Sequence, residues 1–415
     1  MPKITRYPFF GKRFFRQARK LLGSCQFQHL WRILIAIAGM HGRRSLKRIE
    51  DLTNKERTRQ AISYFLTQAQ WDAPELLWQT ALDRLTQLGF RPGDPLYFVL
   101  DDTQKRKRGK RMAAVSKIFL HAEKVYAHGH TILGAVLIYR QVVIPCAVRL
   151  WASETRCAEG LEAEPGARLK FRKLTYLAAD LIGDLQSHLP DARPLVLFDS
   201  YYLCPAVTQA CVAASYRFIS VAKKNRNFSP DGRPNDRRKL SRYGAGVLAR
   251  EGRSVSVEGK RHLLAQRVGG LSKAGRVKLV FSRRPGERAW VPLVTNELRW
   301  SAKTIVGHYL ARWGIELLFK MSKQYLGLGD YQLLEYRGVV RYLHLVMIAY
   351  LLLTHLALVA DAKACAKRLT PLRLPSIQQL QELLRSQMWD DLIAHLETGK
   401  QTRIAARKFK EFIQR

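Results

Sequence analysis

Apolar residues change their spacing several times along the chain, and each change predicts a different kind of element. From about Phe27 to Leu88 they recur at helical intervals, as in Leu30, Ile33, Leu34 and Ile37, then Ile62, Phe65 and Leu66. Two basic stretches, Gly42 to Ile49 and Thr53 to Arg57, lie between these helices. Ser45 and Thr53 or Asn54 are candidate N-caps for short helices with basic first turns, which suit contact with DNA phosphates or a groove. The plainer alternative is a solvated bundle that spaces domains.

From Leu96 the pattern becomes that of strands. Leu96 to Leu100 runs directly into Asp101-Asp102-Thr103. Thr131 to Tyr139 and Val142 to Trp151 predict an antiparallel hairpin turning at Arg140-Gln141. A helix is expected from about Leu169 to Leu189, a short buried strand over Pro194 to Phe198, a helix from Pro205 to Ala214, and a strand over Phe218 to Ala222. This order describes an α/β fold with a mixed sheet and flanking helices. A Gly/Pro/Arg-rich stretch with alternating Val255 and Val257, then Val277, Leu279 and Phe281, reads as a basic β-rich insertion. Strong helical patterns return at about Ala302 to Tyr325 and Tyr336 to Ala360, and the tail beyond Pro375 is helical and basic. The expected organisation is an N-terminal helical DNA-binding region (1–92), a sheet-based core in two parts (93–222 and 297–362), the insertion between them (223–296) and a C-terminal helical basic region (363–415). Leu343 to Ala360 approaches membrane-spanning length, but His344, Tyr350, Thr354 and His355 interrupt it, so a buried core helix is expected and no membrane partner.

Charge narrows the partner. Across 415 residues, 71 Lys and Arg face 33 Asp and Glu, a formal charge of +38, while 47% of residues are hydrophobic and adequate for an ordinary core. A folded polycation of this kind attracts a polyanion, and nucleic acid is the expected partner, with phosphate neutralisation supplying sequence-independent affinity. Charge alone leaves a ribosomal or chromatin-type binder open. Cys25, Cys146, Cys157, Cys204, Cys211 and Cys365 contain no CxxC pair, which argues against zinc and a disulfide framework and fits a reducing cytoplasm. Met1 to Lys20 lacks the apolar core of a signal peptide.

Three acids stand out. Asp102 and Asp199 each follow a short apolar strand, and strand carboxyl ends are where ligands bind in α/β sheets. Two carboxylates gathered there repel unless a cation neutralises them, although each taken singly suits a turn or N-cap. Asp101 and Asp102 are adjacent, and a strand apolar on both faces does not choose between them by alternation. On a helical wheel of about 100° per residue, Tyr309, Arg312, Glu316 and Lys323 share one face, bordered by Trp313 and Lys320. Val306, Leu310, Leu317, Leu318 and Met321 fall in another sector expected to pack on the sheet. A surface salt-bridge stripe is the alternative for the Arg312–Glu316 pair.

The segment YLARWGIELLFKMSK carries Tyr309-x2-Arg312-x3-Glu316-x6-Lys323 and resembles the Tyr-Arg-Glu-Lys signature of bacterial insertion-sequence DDE transposases. Upstream, LDDT resembles the first-Asp motif of that family and LVLFDSYY its second. The resemblance implies a ribonuclease-H-like core interrupted by the β-rich insertion of the cut-and-paste members. It implies Asp102, Asp199 and Glu316 as catalytic metal ligands, the acid next to Thr103 fitting the pattern better than Asp101. Hard oxygen donors of this kind suit two Mg²⁺ ions, with Mn²⁺ able to substitute. It implies double-stranded DNA as the partner, with Arg312 and Lys323 gripping phosphates near the cleaved end and Tyr309 helping to hold the 5′ side. It also implies terminal inverted repeats and target DNA as substrates, a homodimer in the synaptic complex, and a cytoplasmic, nucleoid-associated protein. Lys105, Arg106, Lys107, Arg108, Lys110 and Arg111 are expected to clamp the DNA backbone, joined by Lys223 and Lys224. His121, His128 and His130 are expected in the core or facing DNA rather than on a metal. Trp290, Trp300 and Trp313 are candidates for stacking an extruded base. Two other functions stay open, a catalytically silent DNA-binding regulator or targeting subunit and a nuclease without strand transfer.

Overall fold

The computed structural model describes residues 11–53, 57–231, 235–362, 366–367 and 370–398. The candidate N-cap Asn54, Cys365 and most of the basic tail lie outside these residues.

Fourteen strands are formed by the described residues: β1 (Tyr97–Arg106), β2 (Ser116–Leu120), β3 (Val125–Tyr139), β4 (Val142–Trp151), β5 (Glu162–Glu164), β6 (Ala167–Arg168), β7 (Leu195–Phe198), β8 (Arg217–Val221), β9 (Asn227–Pro230), β10 (Arg238–Lys239), β11 (Arg253–Val257), β12 (Lys260–Leu271), β13 (Gly275–Arg283) and β14 (Trp290–Thr295). The centre of the main sheet runs β4-β3-β1-β7-β8. Here β3 is antiparallel to both neighbours, and β7 runs parallel to β1 and β8. This is the ribonuclease-H-like arrangement, a meander of three strands followed by two parallel additions. The β3–β4 hairpin turns in two residues, Arg140 (φ 54°) and Gln141 (φ 66°), both left-handed as the twist of a tight hairpin demands. Arg140 tolerates that backbone because its guanidinium donates to the Leu88 carbonyl (3.1 Å) and the Thr370 carbonyl (2.7 Å).

The insertion extends this same sheet. β14 pairs with β8, and β13, β12, β9 and β10 follow, with β11 on β12, so the sheet reaches twelve strands. It also contains a helix, Leu240–Glu251, that alternation of apolar residues does not reveal. A Cβ on Gly244 of that helix would lie 2.7 Å from Phe281 and 2.5 Å from Trp290, so the missing side chain sets how closely helix and sheet approach.

The helix Tyr336–Ala360 is buried on almost every side. It is long and apolar enough to cross a membrane by length and composition, yet 83% of its most apolar window lies inside the protein. It packs against the N-terminal helices Ser24–Gly39 and Ala73–Gln87 and against β4. Its Arg341 is buried and donates to the carbonyls of Leu66 (3.1 Å) and Trp71 (2.9 Å), joining the N-terminal helices to the core. Ser45 caps its helix as the spacing predicts, accepting from the Arg48 amide. Thr53 instead follows the end of that helix, and Thr58 caps the next.

The expected helix from Ala302 to Tyr325 is two helices, Ala302–Leu310 and Trp313–Tyr325. Between them the amides of Ala311, Arg312, Gly314 and Ile315 bond to carbonyls three residues back, the tighter 3₁₀ pattern. Tightening rotates the second helix relative to the first. As a result Ile315, Leu318, Phe319 and Ser322 face inward and Leu317 is exposed; Leu310, which ends the first helix, is also exposed rather than packed on the sheet.

Candidate active site

Register brings the acids to one edge of the central strands. β1 pairs with β7 up to Val99–Leu197, so two residues further on Asp101 stands level with Asp199. Across the other side of β1, Asp101 lies opposite Gly134 and Asp102 opposite Leu133. Directly opposed residues of an antiparallel pair share a face. A Cβ on Gly134 would lie 2.8 Å from the Phe319 ring, so Gly134 marks the face covered by the helix Trp313–Tyr325. Asp101 therefore points toward that helix and Asp102 toward the opposite face.

Side-chain contacts follow the pleat. The Arg312 guanidinium donates to Asp101 at 2.9 Å and also pairs with Glu316, one turn along. Asp102 accepts from the Tyr202 hydroxyl at 2.7 Å. Asp199 accepts from the amides of Tyr201 (2.8 Å) and Tyr202 (3.4 Å), closing the turn after β7. Tyr202 thus links Asp199 through its backbone to Asp102 through its ring. Tyr309 reaches toward the Phe198 carbonyl (3.5 Å) and lies beneath Arg312, whose guanidinium carbon is 5.6 Å from its ring centre. Lys323 donates to the Gln104 carbonyl at 2.8 Å.

The electrostatics are those of crowded acids with little water. Burial raises the Asp101 pKa to about 7; Arg312 opposes the rise, and Asp199 and Asp102 add to it. Burial raises Asp102 as well, against the Tyr202 hydrogen bond and with the help of Asp199. Burial lowers Lys323, and neighbouring Lys105 lowers it further. Arg312 keeps its proton firmly: burial opposes its charge, but Tyr309, Asp101 and Glu316 outweigh that cost. Each of these acids gains if a cation approaches, so the donor set fits a hard divalent ion. Among the described residues, no three His, Cys, Asp or Glu side chains stand close enough to share one ion. Arg312 fills that role between Asp101 and Glu316, as an internal counter-charge.

Several expected DNA contacts do other work. Lys107 is buried, donates to the carbonyls of Gly329 (2.7 Å) and Tyr331 (3.3 Å), and sits 3.5 Å from the centre of the Tyr331 ring. Lys105 packs over Gly329, where a Cβ would lie 2.4 Å from its stem, and Arg106 pairs with Glu123 at 2.9 Å. Lys107 lies one residue past β1, its amide donating to the His128 carbonyl, and its buried charge is met by carbonyls instead of phosphate. Arg108, Lys110 and Arg111 are exposed. Lys223 and Lys224 are both exposed, and the Lys224 ammonium lies 4.4 Å from the Trp290 ring centre. Arg44, within the basic stretch read as DNA-facing, is buried and bonds to the carbonyls of Met40 (2.6 Å) and Tyr325. It therefore secures the carboxyl end of the Glu316 helix, where a cation is favoured. His130 is buried between Tyr331 and the Ala113 carbonyl, both at 2.8 Å. Of the three tryptophans, Trp313 is 58% exposed beside the site, and Trp300 lies against His308. Spacing does not reveal Tyr202, since a buried tyrosine after a strand is ordinary core; only its contact with Asp102 identifies it.

A family described as "DDE superfamily endonuclease" matches residues 20–266, more than half of the chain. No curated protein matches it. Among solved structures, a cryo-EM structure of the piggyBac transposase synaptic complex with hairpin DNA is similar at 11% identity and a TM-score of 0.47, covering 96% of this chain and 80% of that one.

Proposed function

Because the chain belongs to the DDE superfamily of endonucleases, we propose that it is a transposase that cuts the ends of its element and joins them to target DNA. The contacts that carry this reading gather the acids around two side chains: Arg312 joins Asp101 of β1 to Glu316 of the helix beyond the insertion, and Tyr202 joins Asp102 of β1 to Asp199 at the end of β7. The superfamily typically works with divalent metal ions, and Mg²⁺ or Mn²⁺ on Asp102, Asp199 and Glu316 would neutralise the scissile phosphate and acidify the attacking hydroxyl.

The chain's own residues supply the rest. Tyr202 holds Asp102 in place through its hydroxyl. Arg312, freed from Glu316, grips a phosphate with two parallel donors, for which its planar fork is suited. A phosphate that drew Arg312 away would leave Glu316 without its counter-charge, and Glu316 would then be available to help hold a divalent ion. Lys323 adds a point charge, with Tyr309 beside it. Arg108, Lys110, Arg111 and Lys223 attract the flanking backbone, as do the exposed Arg43 and Arg48 near the N-terminus. The substrates are terminal inverted repeats of an insertion sequence, joined by two copies of the chain in the cytoplasm. For the first ligand, Asp101 is a second reading, favoured by its position on the face of Glu316.

The test uses purified protein, Mg²⁺ and a plasmid carrying the coding region with its native flanks. Cleavage at the flanks should vanish in Asp199→Asn and Glu316→Gln. Asp102→Asn against Asp101→Asn decides the first ligand. Cleavage retained by Glu316→Gln would sink the proposal. Supplying pre-cut ends and looking for joined products separates a transposase from a nuclease that only cuts.

A further inference from the structure

A cleft of about 170 Å³ opens where the first helical segment, carrying Arg13 and Arg16, meets the helix Ala73–Gln87 and the long helix Tyr336–Ala360. It stands away from the acids. Leu88, just past Ala73–Gln87, is held by Arg140 at the β3–β4 turn, whereas Asp101 lies opposite Gly134, six residues back along β3 or roughly 20 Å. The floor is buried, with Arg84 2% exposed and His355 1%. Arg84 donates through one nitrogen to Gln87 and, at 2.8 Å, to His355 Nδ1. A guanidinium has no acceptor, so Nδ1 is the bare nitrogen and the ring proton sits on Nε2. That N–H is buried and has no hydrogen-bond partner among the described residues. Burial takes the ring's pKa to about 3, with Arg84 and Arg13 pushing the same way, so at neutral pH the ring keeps this single donor. A buried donor without an acceptor is costly, and a ligand that supplies the acceptor recovers that cost.

The rest of the lining asks for negative charge. Three guanidiniums share the cleft with one acid, Asp83, and that carboxylate already accepts from Arg16 at 2.9 Å and from Gln17 at 3.0 Å. Arg13, Arg16 and Thr86 are exposed at the mouth. At about 30 Å³ per water the space equals roughly five or six waters, room for one tetrahedral oxyanion with its last hydration. It falls below the ~300 Å³ where ordinary small-molecule sites begin, which excludes a whole nucleotide. Guanidinium forks match phosphate oxygens two at a time. A backbone phosphodiester carries a sugar on either side and stops at the mouth, so the group that reaches the floor is free or ends a chain. We propose that this cleft binds one inorganic phosphate or terminal phosphate monoester, gripped by Arg13 and Arg84, with His355 Nε2 donating to it from the floor. The inference is independent of the transposase reading. An ion held there ties three separate segments of the chain together and stabilises the fold.

The probe is inorganic phosphate, titrated at pH 7.5 against chloride so that ionic strength stays fixed. In protein carrying ¹⁵N-labelled histidine, the His355 Nε2–H signal, identified by its loss in His355→Gln, should shift and saturate. Calorimetry should show one saturable site in wild type. Arg13→Glu and Thr86→Glu, both at the exposed mouth, should weaken it by roughly tenfold or more, the scale of one charge-assisted hydrogen bond. Lys260→Glu, the same charge change at the exposed β11–β12 turn, should bind as wild type does. Duplexes ending in a 5′-phosphate or a 5′-hydroxyl then separate the sources by competition. Displacement of phosphate by the first alone supports a DNA terminus as ligand, and displacement by neither supports the free ion. Displacement by both shows that backbone phosphates suffice and overturns the proposal. An unmoved His355 signal overturns it too, as does binding that Lys260→Glu weakens as much as Arg13→Glu, since attraction is then a property of the whole surface.

Discussion

Removing Arg312 should destabilise the protein in a way that a divalent cation repairs. Its guanidinium is 17% exposed and sits between Asp101 at 16% and Glu316 at 31%. In Arg312→Gln those two carboxylates lose their shared counter-charge. Breaking a buried pair costs about 3–5 kcal/mol, and the partial exposure of Glu316 brings the expectation to about 3 kcal/mol. At roughly 2.1 cal/mol/K of unfolding entropy per residue, 415 residues give about 0.9 kcal/mol/K, so Tm should fall by about 3 °C. The loss should be larger at pH 8 than at pH 6, because Asp101, with a pKa near 7, escapes part of the cost at low pH by taking up a proton. Millimolar Mn²⁺ should then raise the Tm of Arg312→Gln more than that of wild type, since the ion no longer competes with an internal cation. Differential scanning fluorimetry at the two pH values, with and without Mn²⁺, reads all three effects. A variant that melts within 1 °C of wild type, or gains no more than wild type from Mn²⁺, would refute the picture of Arg312 as a stand-in for the metal.

Three further outcomes follow from named contacts. Gly134→Ala drives a methyl group toward the Phe319 ring, 2.8 Å from the new Cβ, and should cost about 1–3 kcal/mol by overpacking while displacing the Glu316 helix; unchanged denaturant stability together with full cleavage would count against that contact. Tyr202→Phe removes the hydroxyl that donates to Asp102 and should cost about 1–2 kcal/mol with little change in packing, while raising the pH needed for Mn²⁺ binding by isothermal titration. His130 is held neutral, since burial takes its pKa to about 4 from 6.5, so its contribution is complete above pH 6.5 and is lost as pH falls toward 4. His130→Gln should accordingly flatten the pH 4–6.5 dependence of the urea midpoint by up to about one proton, or ~1.4 kcal/mol per pH unit, and an unaltered slope would show that other groups carry it.

Much of the fold is legible along the chain because its elements are built from local patterns. The short apolar run Leu96 to Leu100, the Arg140-Gln141 break between two β-rich runs and the long apolar stretch of Tyr336–Ala360 each carry their signal within one segment, through length and flanking residues. The order of the motifs likewise points to the place where β7 ends, but the strand expected to stop before Asp101 runs on to Arg106, because β3 continues to pair with it beyond the acids. Contact between distant segments was decided elsewhere. A 3₁₀ step at Ala311–Ile315 turned the Glu316 helix and left Leu317 exposed, because backbone bonds to the third residue rather than the fourth shift every later side chain around the axis. Lys107 and Arg44 look like DNA contacts in a string of basic residues, yet both are buried on carbonyl groups that come from far along the chain. The division of Asp101 and Asp102 between opposite faces also needed the pairing of β1 with β3, since alternation separates neighbours and says nothing of which face the catalytic helix will cover. Periodicity and motif spacing are properties of one segment and can be read from it; register, rotation and charge pairing belong to two segments at once, and only the folded chain sets them.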